Sequence, residues 1–240
     1  MKITAIVSGG MDSATLAYHL IELEHDVELV SFDYGQRHRV ELEHAEALSD
    51  RLDVPWSLVD LSGLRSLIGG SALTDDTIDV PEGHYAEPSM AKTVVPNRNL
   101  IMLSIAAGIA VANDSDRVAT GVHAGDHFVY PDCRPTFISA ASTAIMLGTD
   151  GFAPPGFGVI APFVHISKAD IARIGDELGV PWDETWSCYK GGARHCGLCG
   201  TCVERIEAFQ IAGVDDPTEY DAMPDLAGLV STFERIEVDG

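Results

Sequence analysis

Two groups of residues in this 240-residue chain have the types and the spacing to do chemistry. The first is the run from Ser8 to Ser13, in which two glycines are followed by a carboxylate and a hydroxyl. Glycines let the backbone approach a ligand closely, and the free amides at the start of a following helix favour an anion. The run therefore predicts a phosphate-binding loop rather than an ordinary turn with an N-cap serine.

The loop lacks the signatures of two common nucleotide-binding motifs. It has no lysine followed by serine or threonine, as a Walker loop requires, and no G-x-G-x-x-G. Ser-Gly-Gly-x-Asp-Ser resembles the loop of the ATP pyrophosphatases, which bind the β,γ-pyrophosphate of ATP and transfer AMP to a substrate. The residues predicted to bind ATP are Val7, Ser8, Gly9, Gly10, Met11, Asp12, Ser13, Ala14, Thr15, Leu16 and Ala17.

The second group contains four of the five cysteines, Cys188, Cys196, Cys199 and Cys202. In a chain with intracellular character, so close a cluster favours a metal over disulfides. Four thiolates close a tetrahedral zinc site and leave no open position, so the zinc would be structural. The alternatives are an iron–sulfur cluster, a redox pair, and a site in which His195 replaces one cysteine.

Short apolar segments alternate with amphipathic ones over most of the chain. Strands are predicted at about 3–7, 27–32, 56–61, 117–120 and 159–163, and helices at about 14–21, 39–52, 100–112, 136–147 and from 168. This alternation is typical of a doubly wound parallel sheet, an α/β fold that binds ligands beyond the carboxyl ends of its strands. We expect an ATP-binding domain over 1–180 and a C-terminal zinc-binding helical region over 181–240, with a last helix at about 226–235.

Residues 63–95 interrupt the alternation with turn-forming sequences, which predicts a mobile cover over the site. Arg98 follows at the start of an apolar helix, where its guanidinium suits a phosphate or a carboxylate. Lys168 comes directly after Ser167, the expected N-cap of another helix, and opposes the dipole of that helix. Because a cation is unfavourable at this end of a helix, we expect Lys168 to contact ATP phosphates. The alternative is a solvated surface lysine.

Together these motifs resemble the 7-cyano-7-deazaguanine synthase family. The resemblance extends from Ser8 to Cys202 and depends on the phosphate loop, residues 32–38, 95–99 and 130–135, and the four late cysteines. It implies an adenine nucleotide alpha hydrolase-like fold. It also implies ATP-dependent conversion of 7-carboxy-7-deazaguanine and ammonia into the nitrile, through an adenylated carboxylate and an amide, in queuosine or archaeosine biosynthesis.

The same resemblance suggests roles for individual residues. The expected catalytic residues are Ser13, Asp12, Lys168 and Asp126, with Mg²⁺ held by one of the two aspartates. The expected substrate-binding residues are Arg98, Tyr130, Asp132 and Arg134. Cys133 is left out of catalysis because the chemistry needs no covalent step. The resemblance further implies small-molecule partners and a homodimer.

Two other hypotheses remain open at this stage. The first is a different ATP-activating enzyme, either a tRNA thiolase, which would need a basic surface for RNA, or an amidotransferase synthetase, which would need a glutaminase partner. The second is a zinc-stabilised nucleotide sensor without catalysis, against which the intact Ser8, Asp12 and Ser13 argue.

The chain is strongly acidic, with 37 Asp and Glu residues against 15 Lys and Arg and a formal charge of −22. The lysines among them are Lys2, Lys92, Lys168 and Lys190. We interpret this composition as adaptation to high salt, as in a halophilic archaeon, and it argues against direct binding of nucleic acid. With no predicted membrane span or signal peptide, we expect the protein in the cytoplasm.

This charge predicts that the protein is more stable in molar salt than in dilute buffer, because salt screens the repulsion between its carboxylates. Thermal denaturation in about 0.05 M and about 2 M KCl should show a higher Tm in the concentrated salt. An unchanged Tm would contradict adaptation to salt and would leave the predicted function untouched.

Overall fold

A parallel sheet forms the centre of the structure, a computed structural model that describes residues 1–85 and 88–226. Within those residues the sheet has five strands in the order β3-β2-β1-β4-β5. The strands are β1 (Lys2–Ile6), β2 (Asp26–Asp33), β3 (Trp56–Asp60), β4 (Arg117–Ala119) and β5 (Val159–Ile160). The helices are α1 (Met11–Glu22), α2 (Glu41–Leu52), α3 (Arg98–Ala112), α4 (Pro135–Gly148), α5 (Lys168–Glu177) and α6 (Gly200–Ala212). Shorter 3₁₀ helices are Ser62–Ser66, Pro88–Thr93, Ala124–Phe128, Pro131–Cys133 and Trp182–Glu184.

The doubly wound parallel sheet predicted from the sequence is therefore confirmed, with small differences at the ends of elements. The fifth strand is shorter than predicted because it pairs only with the short β4 and then turns at Pro162, which has no amide hydrogen to donate. The capping box of α5 is present, since Ser167 and Asp170 bond to each other's backbone amides. The helix predicted at about 226–235 lies outside the described residues apart from its first position.

The position of β1 decides where a ligand can bind. This strand pairs with β2 on one side and with β4 on the other, so the winding of the sheet reverses between β1 and β4. In open parallel sheets the loops diverge at such a point and leave a crevice beyond the carboxyl ends of the strands. The phosphate loop follows β1, and residues 120–126 follow β4, so both reach this crevice.

Helices bury both faces of the sheet, as a parallel sheet requires. One apolar core joins β1 to α1, α2, α5 and α6 and includes Leu16, Ile171 and Phe209. The core on the opposite face joins β2 and β4 to α3 and α4 and includes Leu103 and Ile138. No helix within the described residues has the length and hydropathy needed to cross a bilayer.

The segment at 63–95 is packed against the region of the cysteines. Leu73 and Met90 are fully buried, and Ala72 shares an apolar cluster with three of the cysteines. The Gly83 amide donates to the Leu198 carbonyl over 3.0 Å, which ties the segment to the loop between two of those cysteines. The mobility of this segment and the division of the chain near residue 180 stay predictions.

Gly9 lies where the phosphate loop meets α2. A side chain at this position should destabilise the folded protein. Its φ is +84°, and an added Cβ would lie 2.2 Å from the Glu41 carbonyl oxygen. We expect Gly9→Ala to lower the free energy of unfolding by more than about 2 kcal/mol, measured by urea denaturation.

The matched control is Gly108→Ala within α3, where no heavy atom lies within 4 Å of the added Cβ. This change should stabilise the protein by up to about 1 kcal/mol, because alanine favours a helix interior more than glycine does. Equal effects of the two substitutions would show that the close contact at Gly9 is unimportant.

Candidate active site

A cleft of about 210 Å³ opens at the carboxyl ends of β1 and β4. The predicted site residues that line it are Val7, Ser8, Gly10, Met11, Asp12, Ser13, Arg98, Asp126, Tyr130 and Lys168. These residues come from four separate parts of the sequence, and the sheet brings them together. The other predicted site residues do not line the cleft: Gly9, Ala14, Thr15, Leu16, Ala17, Asp132 and Arg134. Ala14, Leu16 and Ala17 instead lie in the apolar core beneath the loop, because they are on the buried face of α1.

The phosphate loop is shaped by its own hydroxyl groups. The Ser13 hydroxyl accepts a hydrogen bond from the Ser8 amide over 3.1 Å and donates one to the Gly10 carbonyl over 3.0 Å. Gly10 is the N-cap of α1 and places no side chain over the first amides of that helix. Those amides and the helix dipole therefore face the cleft, which is the arrangement that binds a phosphate.

Lys168 lies at one side of this loop and is only 9% exposed, so it is not a solvated surface lysine. Its Nζ is 2.8 Å from Glu204 Oε2 and 3.1 Å from Asp12 Oδ2. Burial alone would lower its pKa, but the charges of Asp12, Glu204 and Asp126 outweigh burial and raise the pKa well above its usual value. Lys168 is therefore a fixed cation beside the phosphate loop.

Asp126 and His123 complete the charged part of the cleft. Burial would raise the pKa of Asp126, but His123 and Lys168 outweigh it and lower the pKa, so the carboxylate is ionised. The Gly125 amide donates to His123 Nδ1, and His123 Nε2 lies 3.8 Å from Asp12 and 3.7 Å from Asp126. Asp12 Oδ1 is buried without a hydrogen-bond partner among the described residues, so it is open to a cation.

Arg98 provides the positive charge on the other side of the cleft. Its guanidinium carbon lies 5.7 Å from the ring centre of Tyr34 and 5.8 Å from that of Tyr130, and Nη1 donates to the Tyr34 hydroxyl over 3.3 Å. Burial opposes its charge, but Tyr34, Tyr189 and Tyr130 outweigh burial and raise its pKa further. No carboxylate of the described residues is within ion-pair distance, so its charge is available to a ligand anion.

Aromatic side chains make this side of the cleft suitable for a flat ring. Phe32, Tyr34, Tyr85, Tyr130 and Tyr189 all line it. The Tyr130 hydroxyl is fixed by Thr93 at 2.6 Å and by Tyr189 at 3.3 Å. Apolar walls with a few fixed polar groups are typical of sites for small heteroaromatic ligands.

Three neighbouring residues of the 130–135 loop have different places in the structure. Asp132 accepts a hydrogen bond from the Asn99 amide in the first turn of α3 over 2.9 Å, and it does not line the cleft. Arg134 is exposed and donates to the His127 carbonyl. Cys133 does line the cleft, but burial raises the pKa of its thiol well above the usual value, so it stays protonated. This agrees with leaving Cys133 out of catalysis.

Sequence reasoning missed three titratable residues, the buried Glu41 and His38 and the partly buried Glu204. His38 Nε2 lies 3.5 Å from Glu41 Oε1. Burial raises the pKa of Glu41 to about 8, and burial with the charges of Arg98 and Arg37 lowers that of His38 to about 3. Both are therefore neutral at pH 7. His38 could have been assigned to the site from its place in the 32–38 motif. Glu41 and Glu204 lie on helices, where no local sequence pattern marks them as site residues.

The four late cysteines converge on one point. Their sulfur atoms all lie within 4.8 Å of one another, and four Zn–S bonds of about 2.3 Å would need separations of about 3.8 Å. The amides of Leu198 and Cys199 donate to Cys196 Sγ, as is usual for a thiolate that binds metal. His195 instead stacks on Trp186 and accepts a hydrogen bond from the Ser187 amide, so it is not among the converging ligands. The cluster has the composition and spacing to hold a metal ion.

Comparison with known proteins identifies the family of the chain. The family model described as queuosine biosynthesis protein QueC matches residues 2–213. The chain belongs to this family. Among curated relatives, the 7-cyano-7-deazaguanine synthase of Rhizobium meliloti is 57% identical over 239 residues, which are 99% of this chain and 100% of the relative. That of Allorhizobium ampelinum is 52% identical over 238 residues, with 99% and 100% covered.

Solved structures give a more distant similarity. The NMN synthetase from Francisella tularensis aligns with a TM-score of 0.48 at 12% sequence identity, over 89% of this chain and 77% of that chain. These values are too low to bear on the activity of this protein. The family assignment therefore depends on the sequence relatives.

The neutral Glu41 predicts a pH dependence of stability. Its pKa rises from 4.5 in the unfolded chain to about 8 in the native state, so its contribution to stability is complete below pH 4.5. The contribution is lost as the pH rises towards 8, because the unfolded state then releases a proton that the native state retains. The Tm of the wild type minus that of Glu41→Gln should therefore fall over this range.

The control is Glu43→Gln, which changes an exposed residue of the same helix. The Tm difference between the wild type and this variant should stay nearly constant over the same pH range. A difference for Glu41→Gln that is equally constant would show that the carboxyl is ionised in the native state.

Proposed function

We propose that the protein makes 7-cyano-7-deazaguanine from 7-carboxy-7-deazaguanine and ammonia with ATP. One observation carries the proposal: a single cleft joins a phosphate loop to an aromatic pocket with an unpaired arginine, in a chain 52–57% identical to synthases of that name. A phosphate loop suits ATP, and the pocket suits a flat ring that carries a carboxylate.

The chemistry follows from the poor reactivity of a carboxylate towards ammonia. A carboxylate oxygen attacks the α-phosphorus of ATP, and pyrophosphate leaves with the electrons of the broken P–O bond. Ammonia then attacks the carbonyl carbon of the mixed anhydride and displaces AMP, which gives the amide. A second activation on the amide oxygen, followed by loss of AMP and the amide protons, gives the nitrile.

The phosphate side of the cleft accounts for the activation step. The loop amides would hold the β- and γ-phosphates, and the hydrogen bonds of Ser13 would keep those amides in place. Lys168 would face the charge that develops on the departing pyrophosphate. Mg²⁺, which fits the unpaired buried oxygen of Asp12 beside Asp126, would neutralise phosphate charge when it is bound. These two aspartates and Lys168 are the groups we assign to catalysis together with Ser13.

The aromatic side of the cleft accounts for binding of the carboxylate substrate. We assign Arg98 to the substrate carboxylate and Tyr130 to the ring, because both face the cleft. Asp132 acts through Asn99, whose amide it fixes at the start of α3, and is therefore a positioning residue. The Arg134 side chain donates to the His127 carbonyl and does not line the cleft, so it receives no role in binding.

Further features of the proposal concern zinc, assembly and location. The four converging cysteines support a structural zinc ion. The exposed Met146 and Leu147 at the end of α4, with Phe152 in the loop that follows, support a homodimer, which light scattering after gel filtration would test. The substrates are small molecules, since a charge of −22 opposes a nucleic acid partner, and we place the reaction in the cytoplasm.

Removal of the Ser13 hydroxyl should slow catalysis more than it weakens ATP binding. Ser13 shapes the loop around charge that develops as pyrophosphate leaves, and loss of one such group typically costs about 10²–10³ in rate. We expect this loss in kcat for Ser13→Ala, with nitrile measured by mass spectrometry, and a smaller change in the Kd for ATP.

The control is Ser139→Ala on the exposed side of α4, which should retain full activity. The wild type should also exchange labelled pyrophosphate into ATP only in the presence of 7-carboxy-7-deazaguanine. A protein that binds ATP but never consumes it with this carboxylate and ammonium, in dilute or molar salt, would refute the proposed function.

The cysteine cluster predicts about one zinc ion per chain, measured by plasma mass spectrometry. Cys199→Ser should lower both the zinc content and the Tm, because binding of a structural metal is coupled to folding. Cys133→Ser, outside the cluster, should retain its zinc. A brown protein that contains iron and sulfide would contradict this prediction and would show that the cysteines hold an iron–sulfur cluster.

A further inference from the structure

Glu41 is a buried carboxyl group that the proposed reaction leaves without a task. It is the first residue of α2, is only 8% exposed and lines the aromatic side of the cleft. Gln36 Nε2 donates to its Oε1 over 3.0 Å, and His38 Nε2 lies 3.5 Å from the same oxygen. Within the described residues its Oε2 has no hydrogen-bond partner.

The position of this carboxyl group is fixed from several directions. Gln36 also donates to the Phe32 carbonyl and accepts from the Tyr34 amide, so the residue that holds Glu41 is itself held by β2. The close contact between Gly9 and the Glu41 backbone ties the start of α2 to the phosphate loop. Glu41 is therefore a rigid acceptor at a set place beside the ATP site.

The substrate of the proposed reaction offers a partner for such a group. Its pyrimidinone ring has the same edge as guanine, with a ring N–H beside an exocyclic amino group. Two adjacent donors suit the two oxygens of one carboxylate, whereas Arg98 and Lys168 are donors only and cannot pair with them. The other carboxylates that line the cleft belong to its phosphate side, where Asp12 pairs with Lys168 and Asp126 accepts hydrogen bonds from the Tyr85 hydroxyl and the His123 amide.

We propose that Glu41, held by Gln36, recognises the 2-amino-pyrimidinone edge of the substrate and so determines specificity for a guanine-like ring. The proposal rests on the proposed function and adds to it the group that selects the base. Arg98 would then bind the carboxylate of the substrate while Glu41 binds the opposite, donor-rich edge. The neutral carboxyl group costs little to bury in the free protein, and two N–H donors would favour its ionised form.

The test compares two ligands on three proteins by isothermal titration calorimetry. The ligands are 7-carboxy-7-deazaguanine and the same molecule without its 2-amino group, and the proteins are the wild type, Glu41→Gln and the exposed control Glu43→Gln. The wild type and the control should bind the first ligand about 10–100-fold more tightly than the second. Glu41→Gln should bind the first ligand more weakly and the two ligands within about threefold of each other, with the Kd for ATP unchanged.

The outcomes separate this inference from the proposed function. If the wild type neither binds 7-carboxy-7-deazaguanine nor converts it to the nitrile, the proposed function fails and this inference fails with it. If the wild type converts the substrate and Glu41→Gln still prefers the 2-amino ligand by the same ratio of Kd values as the wild type, the inference alone is overturned.

A second variant guards against misfolding. If Glu41→Gln has lost ATP binding, Glu41→Asp is tested instead, because it keeps the carboxyl group but withdraws it by one methylene group. Glu41→Asp should weaken binding of 7-carboxy-7-deazaguanine and retain a preference for it over the ligand without the amino group. Unchanged affinity for both ligands in this variant would overturn the inference.

Discussion

The ion pairs of Lys168 connect the parts of this protein that must act together. The lysine begins α5, and its two nearest carboxylates come from α1 and α6. A buried charge is costly unless it is paired, so neither the phosphate loop nor α6 can move far from the lysine without leaving a charge uncompensated. One cation therefore fixes the relative positions of three helices at the mouth of the cleft.

This arrangement links the cysteine cluster to the cleft. Cys202 and Glu204 lie in the first turns of α6, so whatever fixes the cysteines also fixes the carboxylate that holds Lys168. The wholly buried Arg205 secures the same helix to Asp216 and to the Trp182 carbonyl. A structural metal at a distance from the reacting atoms would in this way support the geometry of catalysis without taking part in it.

The sequence was informative where function depends on local patterns and weak where it depends on packing. The phosphate loop and the order of strands and helices follow from glycine spacing and apolar periodicity, which act over a few residues. The burial of Lys168 and the positions of Glu41 and Glu204 depend on contacts between distant elements. Asp132 belonged to a recognised motif, yet only the packing of α3 shows that it caps Asn99 rather than entering the cleft.

The charges of the cleft explain why the site needs more than its own side chains. Asp12 and Glu204 both pair with Lys168, and Asp126 lies close enough to act on its charge, so carboxylates outnumber the cation on the phosphate side of the cleft. Arg98 lies on the aromatic side, where the substrate carboxylate would bind. The phosphates of ATP would thus meet loop amides, a helix dipole and one already neutralised cation. Such a site cannot offset several phosphate charges, and this deficit is the physical reason for proposing Mg²⁺ at the unpaired oxygen of Asp12.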